Sequence, residues 1–142
     1  MPFSALLIDV DYFKLYKYND NYGHLKGDKV LSSVASVMQG LDLAEKDLVA
    51  RYGGEEFAIL LVNKEFQDAV KLAEELITEL AARRIEHEYS KVNKHITVSI
   101  GIATAYPVEG MTSSSLISKA DEALYEAKKS GRNTYKSILV DQ

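Results

Sequence analysis

The chain of 142 residues, with 46% hydrophobic and 27% charged residues, has the composition of one soluble globular domain. Its net charge of -4 argues against a general nucleic-acid binder, which would carry a surplus of basic residues. The absence of cysteine excludes disulfides, thiolate metal sites and cysteine nucleophiles, and it fits a reducing compartment. No stretch approaches the roughly 18–20 apolar residues of a membrane span, and the N-terminus does not resemble a signal peptide.

Strand-like and helix-like patterns alternate along the chain. The first strand is predicted over the apolar run 3–8, which ends at Asp9. Apolar residues at helical spacing predict helices over 25–41, 66–84 and 116–129. Further strands are predicted over 48–52, 57–62, 96–103 and 134–140, the first two joined by a Gly53-Gly54 turn. The order β-α-β-β-α-β-α-β predicts an α/β (α+β) fold, with helices packed on a mixed sheet in one domain spanning 1–142.

Two pairs of acidic residues lie beside predicted turns. Asp9 and Asp11 flank the end of the first strand, and Glu55 and Glu56 follow the Gly53-Gly54 turn. Polar side chains leave a sheet at such places, so the two pairs could converge into a set of hard oxygen ligands for magnesium. For each acid alone, the alternative interpretation is a solvated turn carboxylate. For the string GGEEF at 53–57 as a whole, the alternative interpretation is a glycine hairpin with charged flanks.

A basic group accompanies the acids. Lys14 follows the first acidic pair, and Lys128 and Arg132 lie four residues apart, on one helical face if the last helix extends that far. The alternative is that these two cations have no ligand and are only stabilised by the negative end of the helix dipole, at the C-terminus of the helix. The histidines, at 24, 87 and 95, show no metal-ligand spacing, and neither a Walker loop nor a dinucleotide fingerprint occurs.

Five sequence motifs occur in a fixed order across nearly the whole chain. They read DVDYFK at 9–14, NDNYGHLKGD at 19–28, RYGGEEF at 51–57, TVSIG at 97–101, and ADEALYEAK at 120–128 followed by GRN at 131–133. In this combination the chain resembles the GGDEF domains of the diguanylate cyclase family, in the GGEEF form. The resemblance implies a palm-like nucleotidyl cyclase fold. It also implies synthesis of cyclic di-GMP and pyrophosphate from two GTP, with two half-sites facing each other across a homodimer.

The resemblance also implies roles for individual residues. The metal ligands for Mg²⁺ (or Mn²⁺) would be Asp9, the carbonyl of Val10 and Glu55, with Glu56 as a further metal ligand or base. The guanine would be held by Asn19 and Asp28, and the phosphates by Lys14, Lys128 and Arg132. Glu55, Glu56 and Lys14 are thus the catalytic candidates. In-line displacement at phosphate agrees with this division, because metals and cations absorb the developing charge.

The chain departs from the family pattern in three places. The N-terminal helix with its DxLTGLxNR motif is missing. Four residues, 15–18, stand between FK and ND where the family has two. The window 44–47 reads AEKD, without the arginine of the RxxD feedback motif. An alternative function is therefore a degenerate domain that binds GTP or cyclic di-GMP and regulates a neighbour; a nucleic-acid polymerase palm fits the acidic charge less well. We expect a cytoplasmic output module of a longer signalling protein, soluble or membrane-anchored, with an upstream sensory domain.

Overall fold

A computed structural model describes residues 2–14, 23–88, 90–106 and 112–140. Its strands are β1 (Phe3–Val10), β2 (Leu48–Arg51), β3 (Glu56–Val62), β4 (Val98–Ala105) and β5 (Tyr135–Val140). Its helices are α1 (Gly23–Gln39), α2 (Phe66–Arg83) and α3 (Ser113–Lys129). The predicted order of elements is confirmed. Among the described helices, none has both the length and the apolar character to cross a bilayer.

The five strands form one mixed sheet in the order β2-β3-β1-β4-β5. The central strand, β1, pairs antiparallel with β3 and β4, whereas β4 and β5 run parallel. The register places Asp9 opposite Glu56 on one side and opposite Ser99 on the other. Directly paired residues project to the same face of a sheet. The sheet therefore brings the acidic end of β1 next to the start of β3.

Alternating residues of β1 separate two apolar cores. One face of the sheet packs against α1 and α2, and its β1 residues are Leu6, Ile8 and Val10. The other face packs against α3 through a smaller cluster that includes Ala5 and Leu7. Asp9 follows Leu7 in this alternation and so lies on the α3 face. The buried run predicted from the sequence is thus confirmed, and β1 continues two residues further than predicted, to Val10.

The close approach of α3 to β4 depends on Gly101. A Cβ atom added at this position would overlap the carbonyl oxygen of Ala120 and the amide nitrogen of Leu124, both backbone atoms of α3. Only glycine leaves room for two backbones at this separation. The helix is thereby held flat against the sheet, and its C-terminal end comes close to the end of β1.

The predicted C-terminal end of α3, at residue 129, is confirmed, whereas the helix begins three residues earlier than predicted, at Ser113. The helix ends at Lys129, and three consecutive residues, Gly131, Arg132 and Asn133, have positive φ angles of 105°, 64° and 46°. The amide of Arg132 donates to the carbonyl of Ala127, as in a glycine-terminated helix. The condition under which Lys128 and Arg132 would share a helical face is therefore not met, because Arg132 belongs to the turn beyond the helix.

Candidate active site

The acidic end of β1 is partly neutralised by α3. Asp9 is 8% exposed, and its carboxylate forms an ion pair with the ammonium group of Lys128. Burial raises the pKa of Asp9 above its usual value, the contact with Lys128 opposes the rise, and the charges of Glu55 and Glu56 add to it. Asp9 is also paired with Glu56 in the register of β1 and β3, so the acid at the end of β1 lies next to the acids that follow the glycine turn.

The glycine turn is fixed by hydrogen bonds at both ends. The amide of Val10 donates to the carbonyl of Glu55 (3.2 Å), which ties the turn to the end of β1. The guanidinium of Arg51 donates to the carbonyls of Gly53 (3.2 Å) and Gly54 (2.7 Å). These two carbonyls accept bonds from the protein itself, so the loop has a defined shape. This role of Arg51 could not be predicted from the motif alone.

The two glycines are not required by the conformation of the turn. Gly131 is the one glycine with positive φ in the described part of the chain, so neither Gly53 nor Gly54 occupies the left-handed region. A Cβ atom at Gly54 would meet nothing within 4 Å. Folding therefore does not explain a glycine here. A ligand that approaches the backbone closely would explain it.

The proposed metal ligands fit a divalent cation by their chemistry. Asp9 and Glu55 supply carboxylate oxygens and Val10 a carbonyl oxygen, which are the hard ligands that Mg²⁺ takes. Over the described ranges, no three histidine, cysteine or acidic side chains are grouped closely enough to hold a metal by themselves. The donor set is thus an incomplete one, of the kind that water and substrate phosphate oxygens complete.

Asp11 does not join the acidic group, contrary to the expectation that both pairs converge. Its carboxylate is 2% exposed and accepts hydrogen bonds from the hydroxyls of Thr97 (2.7 Å) and Ser99 (2.6 Å). A third bond comes from the backbone amide of Asn133 (3.0 Å). Its acceptor capacity is directed at protein donors, so we assign it no metal role. The aspartate instead joins three of the sequence motifs.

The next residue, Tyr12, carries a second set of contacts. Its φ of 53° is left-handed, and its carbonyl accepts a hydrogen bond from Nε2 of His87 at 2.9 Å. Its ring lies against the guanidinium of Arg132, 4.6 Å from Cζ to the ring centroid. Sequence analysis assigned no role to His87 or to Tyr12, because His87 has no metal-ligand spacing and Tyr12 stands in the DVDYFK motif without a predicted partner.

The predicted phosphate-binding cations are placed unequally. Lys128 and Arg132 both lie beside the end of β1, where Lys128 pairs with Asp9 and the guanidinium of Arg132 lies over the ring of Tyr12. Lys14 is exposed and directly follows Phe13, whose side chain is buried in the larger core. The helical spacing failed for the first two cations, yet the turn after α3 still brings them to the same end of the sheet.

A cavity of about 260 Å³ lies between α1 and the β2–β3 hairpin. Asp28, Ser32 and Arg51 contribute polar groups to its lining, and Leu31 and Phe57 contribute apolar ones. This mixture suits a flat heterocycle with polar edges. Asn19, the other residue predicted to hold guanine, lies outside the described residues, as does the four-residue stretch 15–18.

Asp47, the aspartate of the AEKD window, has a structural role. Its carboxylate accepts hydrogen bonds from the amides of Ala44 (2.8 Å) and Val62 (2.9 Å). It thereby closes the turn before β2 and holds the end of β3. Both carboxylate oxygens are thus engaged by backbone donors of the same domain.

Comparison with known proteins agrees with these features. The family model "Diguanylate cyclase, GGDEF domain" matches residues 1–134. Diguanylate cyclase A of Treponema denticola is 39% identical over 130 residues, which are 92% of this chain and 33% of that protein. The GGDEF domain of DgcB from Caulobacter crescentus, solved in complex with c-di-GMP, superposes with a TM-score of 0.82 at 33% identity, over 96% of this chain and 76% of that one. The active GGEEF domain of a diguanylate cyclase from Vibrio cholerae gives a TM-score of 0.77 at 34% identity, over 100% of this chain and 85% of that one.

The sheet order, the acids at the end of β1 and the glycine turn therefore define a nucleotidyl-cyclase type of domain. The chain belongs to the GGDEF family of diguanylate cyclase domains. It spans a third or less of the length of the first curated relatives that it matches.

Proposed function

We propose that this domain is a diguanylate cyclase, which condenses two GTP molecules into cyclic di-GMP and two pyrophosphates. The observation that carries the proposal is the meeting of two charge types at one end of β1. Asp9 faces Glu56 there, with Lys128 and Arg132 beside them. Acids that hold a cation next to side chains that bind phosphate are what phosphoryl transfer requires.

The reaction needs two GTP-loaded half-sites facing each other. In each, the 3′-hydroxyl oxygen of one GTP attacks the α-phosphorus of the other, and the bond from that phosphorus to the departing pyrophosphate breaks. Glu56 is our candidate for receiving the hydroxyl proton. Lys14, Lys128 and Arg132 hold the phosphates, and their charge offsets the negative charge that grows on the leaving group.

Asp9, the carbonyl of Val10 and Glu55 are the proposed ligands of Mg²⁺ (or Mn²⁺), with Glu56 as a further candidate. A bound divalent cation would supply positive charge to the phosphate oxygens and align them for in-line displacement. Glu55 is supported as a ligand by the bond between its carbonyl and the amide of Val10, which keeps it beside β1. GGDEF cyclases are in general dependent on divalent metals, and the donor set here fits that dependence.

The guanine of GTP is proposed to occupy the cavity lined by Asp28. A carboxylate can accept hydrogen bonds from guanine, which presents N–H donors along one edge, whereas adenine presents a different pattern. Asn19 is proposed as the second guanine contact. The Gly53-Gly54 turn, which adjoins this cavity through Arg51, would let the ribose and α-phosphate lie against the backbone.

Activity as a homodimer is part of the proposal, because each domain holds one of the two substrates. The matched segments make up only 33% and 28% of the first curated relatives, which leaves room in a longer protein for an upstream sensory domain. A cytoplasmic location follows from the substrate, since GTP is available there.

The test is incubation of the domain with GTP and Mg²⁺, followed by chromatography for cyclic di-GMP. Asp9→Asn and Glu55→Gln should each remove metal-dependent turnover. Glu79→Gln, a change at an exposed acid of α2, is the matched control and should leave turnover unchanged. If both site variants bind GTP and turn it over as the unsubstituted domain does, the metal site lies elsewhere.

One observation favours a second candidate, a degenerate domain that binds GTP or cyclic di-GMP and regulates a neighbour. Lys128 already forms an ion pair with Asp9, so the ammonium group occupies the place next to Asp9 where the metal ion would bind. In such a domain the ion pair would persist with nucleotide bound. Nucleotide binding by calorimetry, with no cyclic di-GMP formed even at high protein concentration, would favour this candidate over the cyclase.

A further inference from the structure

The turn that carries Arg132 is held in a strained conformation. Arg132 and Asn133 both have left-handed φ angles (64° and 46°) and follow Gly131, which is left-handed as well. Residues with a Cβ atom adopt this region reluctantly, and two in succession persist only when surrounding contacts fix them. The turn therefore needs an anchor outside itself.

Asp11 supplies that anchor through the backbone. Its Oδ2 accepts the amide of Asn133 at 3.0 Å, and the hydroxyls of Thr97 and Ser99 hold the same carboxylate at 2.7 and 2.6 Å. An ionised carboxylate only accepts hydrogen bonds, so three donors fix its position from three directions. Because Asp11 is buried, water does not compete for these bonds.

Tyr12 holds the same turn through a side chain. Its ring lies beneath the guanidinium of Arg132 at 4.6 Å, a distance at which a cation and an aromatic face attract each other. Tyr12 is itself fixed by His87, whose Nε2 lies 2.9 Å from the Tyr12 carbonyl. A carbonyl only accepts, so this ring nitrogen carries a proton. Asp11 and Tyr12, which are adjacent, thus contact Asn133 and Arg132, which are adjacent in the turn after α3.

We infer that Asp11 is a positioning residue for substrate phosphate, acting through the Asn133 amide and assisted by Tyr12 to set the guanidinium of Arg132. The inference rests on the proposed function, in which Arg132 binds the phosphates of GTP. Asp11 itself touches no phosphate in this scheme. Its effect is to keep an otherwise mobile cation in one place, so that binding does not have to order it.

The test is a double-mutant cycle on binding of 3′-deoxy-GTP with Mg²⁺, measured by calorimetry. This nucleotide lacks the attacking hydroxyl, so it binds without reacting. Asp11→Ala and Arg132→Ala should each weaken binding about tenfold or more. The double variant should bind no more weakly than Arg132→Ala alone, because Asp11 acts through that residue. Losses that multiply would overturn the inference.

Two further variants guard against a general loss of structure. Asp11→Asn should bind within about threefold of the unsubstituted domain, since the amide oxygen can accept from Asn133 and Thr97 while its NH₂ donates to Ser99. Thr104→Val removes a buried hydroxyl pair with Ser4 (2.8 Å) between β1 and β4, and it should leave nucleotide affinity unchanged. If Thr104→Val weakens binding as much as Asp11→Ala does, the effect is structural and the inference fails.

Should Asp11→Ala not fold, the pair Tyr12→Leu and Tyr12→Phe repeats the test. Leucine removes the aromatic face and should weaken binding in the presence of Arg132 but not in Arg132→Ala; phenylalanine keeps the face and should bind normally. A Tyr12→Leu variant with full affinity would overturn the inference. If Arg132→Ala itself binds normally, the inference also falls, while formation of cyclic di-GMP by the unsubstituted domain would leave the proposed function standing.

Discussion

Lys128 forms an ion pair with Asp9 where α3 passes the end of β1. The aspartate is almost buried, whereas the lysine side chain is 31% exposed and retains access to solvent. Glu55 and Glu56 add negative charge to the same place, so Lys128 is the cation that offsets it. A metal ion and a GTP phosphate arriving together would take over both halves of this pair, the ion binding Asp9 and the phosphate binding Lys128.

Asp9→Asn should stabilise the metal-free domain while abolishing turnover. Burial raises the pKa of Asp9 above its usual value, so at neutral pH the ionised carboxylate costs folding free energy. We expect the free energy of unfolding to rise by about 0.5–2 kcal/mol, a gain typical of substitutions that trade activity for stability. Urea unfolding at pH 7 with a chelator measures it. A clear loss of stability would mean that the Lys128 contact outweighs burial.

The same substitution should have a pH-dependent effect. Because folding raises the pKa of Asp9, the folded protein binds this proton more tightly than the unfolded chain does. The advantage of Asp9→Asn should thus be absent below the usual pKa of 3.8 and grow as the pH rises through the raised value. Unfolding of both proteins across this range checks the sign, and an advantage that is constant with pH would contradict it.

Gly54→Ala should separate folding from catalysis. The position is open and its φ is not left-handed, so alanine fits the folded domain and stability should be unchanged or up to about 1 kcal/mol higher. If substrate lies against this backbone, the new methyl group should lower turnover strongly. Thermal unfolding and cyclic di-GMP formation are measured side by side. Full activity in a folded Gly54→Ala variant would show that no ligand approaches here.

Gly101→Ala, unlike Gly54→Ala, should lower the stability of the folded domain. Its Cβ atom would overlap backbone atoms of Ala120 and Leu124, which cannot turn aside as side chains do. We expect α3 to be pushed from the sheet, with a loss of about 1–3 kcal/mol or more. Denaturant titration measures the loss. Because Lys128 lies on α3, a variant that still folds should also bind GTP more weakly.

Micromolar cyclic di-GMP should not inhibit through the AEKD window. Ala44 stands where the family motif has an arginine, and alanine offers no paired donors for phosphate. The carboxylate of Asp47 is already bonded to the amides of Ala44 and Val62. Initial rates with added product test this. A structure with product bound against Ala44 and Asp47 would contradict it.

Turnover per chain should rise with protein concentration. In the proposed reaction two GTP-loaded domains must meet, and the net charge of -4 mildly opposes their association. Joining two copies through a leucine zipper raises the effective concentration to about millimolar and should increase the rate by orders of magnitude. A rate per chain that is already high and constant down to nanomolar protein would reveal a stable dimer.

Much of the fold could be predicted from local patterns. Alternating and helical periodicity predicted every element in order, and the bounds differ by two or three residues at most at each end, as at the start of α3. Such periodicity reflects which face of each element is buried, and that information lies within a few consecutive residues. The position of Gly101 against α3 has no such local sign, because it depends on a helix about twenty residues further along the chain.

The sequence by itself determined the candidates for the site: the acids at 9, 55 and 56, the cations at 14, 128 and 132, and their order along the chain. The tertiary structure alone decided which of them meet. Asp11 was grouped with Asp9 by proximity in sequence, but the register of β1 and β4 turns it toward Thr97, Ser99 and a backbone amide 122 residues away. Arg132 reaches the site through a left-handed turn and not through helical spacing. Contacts of this kind depend on strand register and on turn conformation, which residue types constrain only weakly, so that a pattern can name the participants but not their partners.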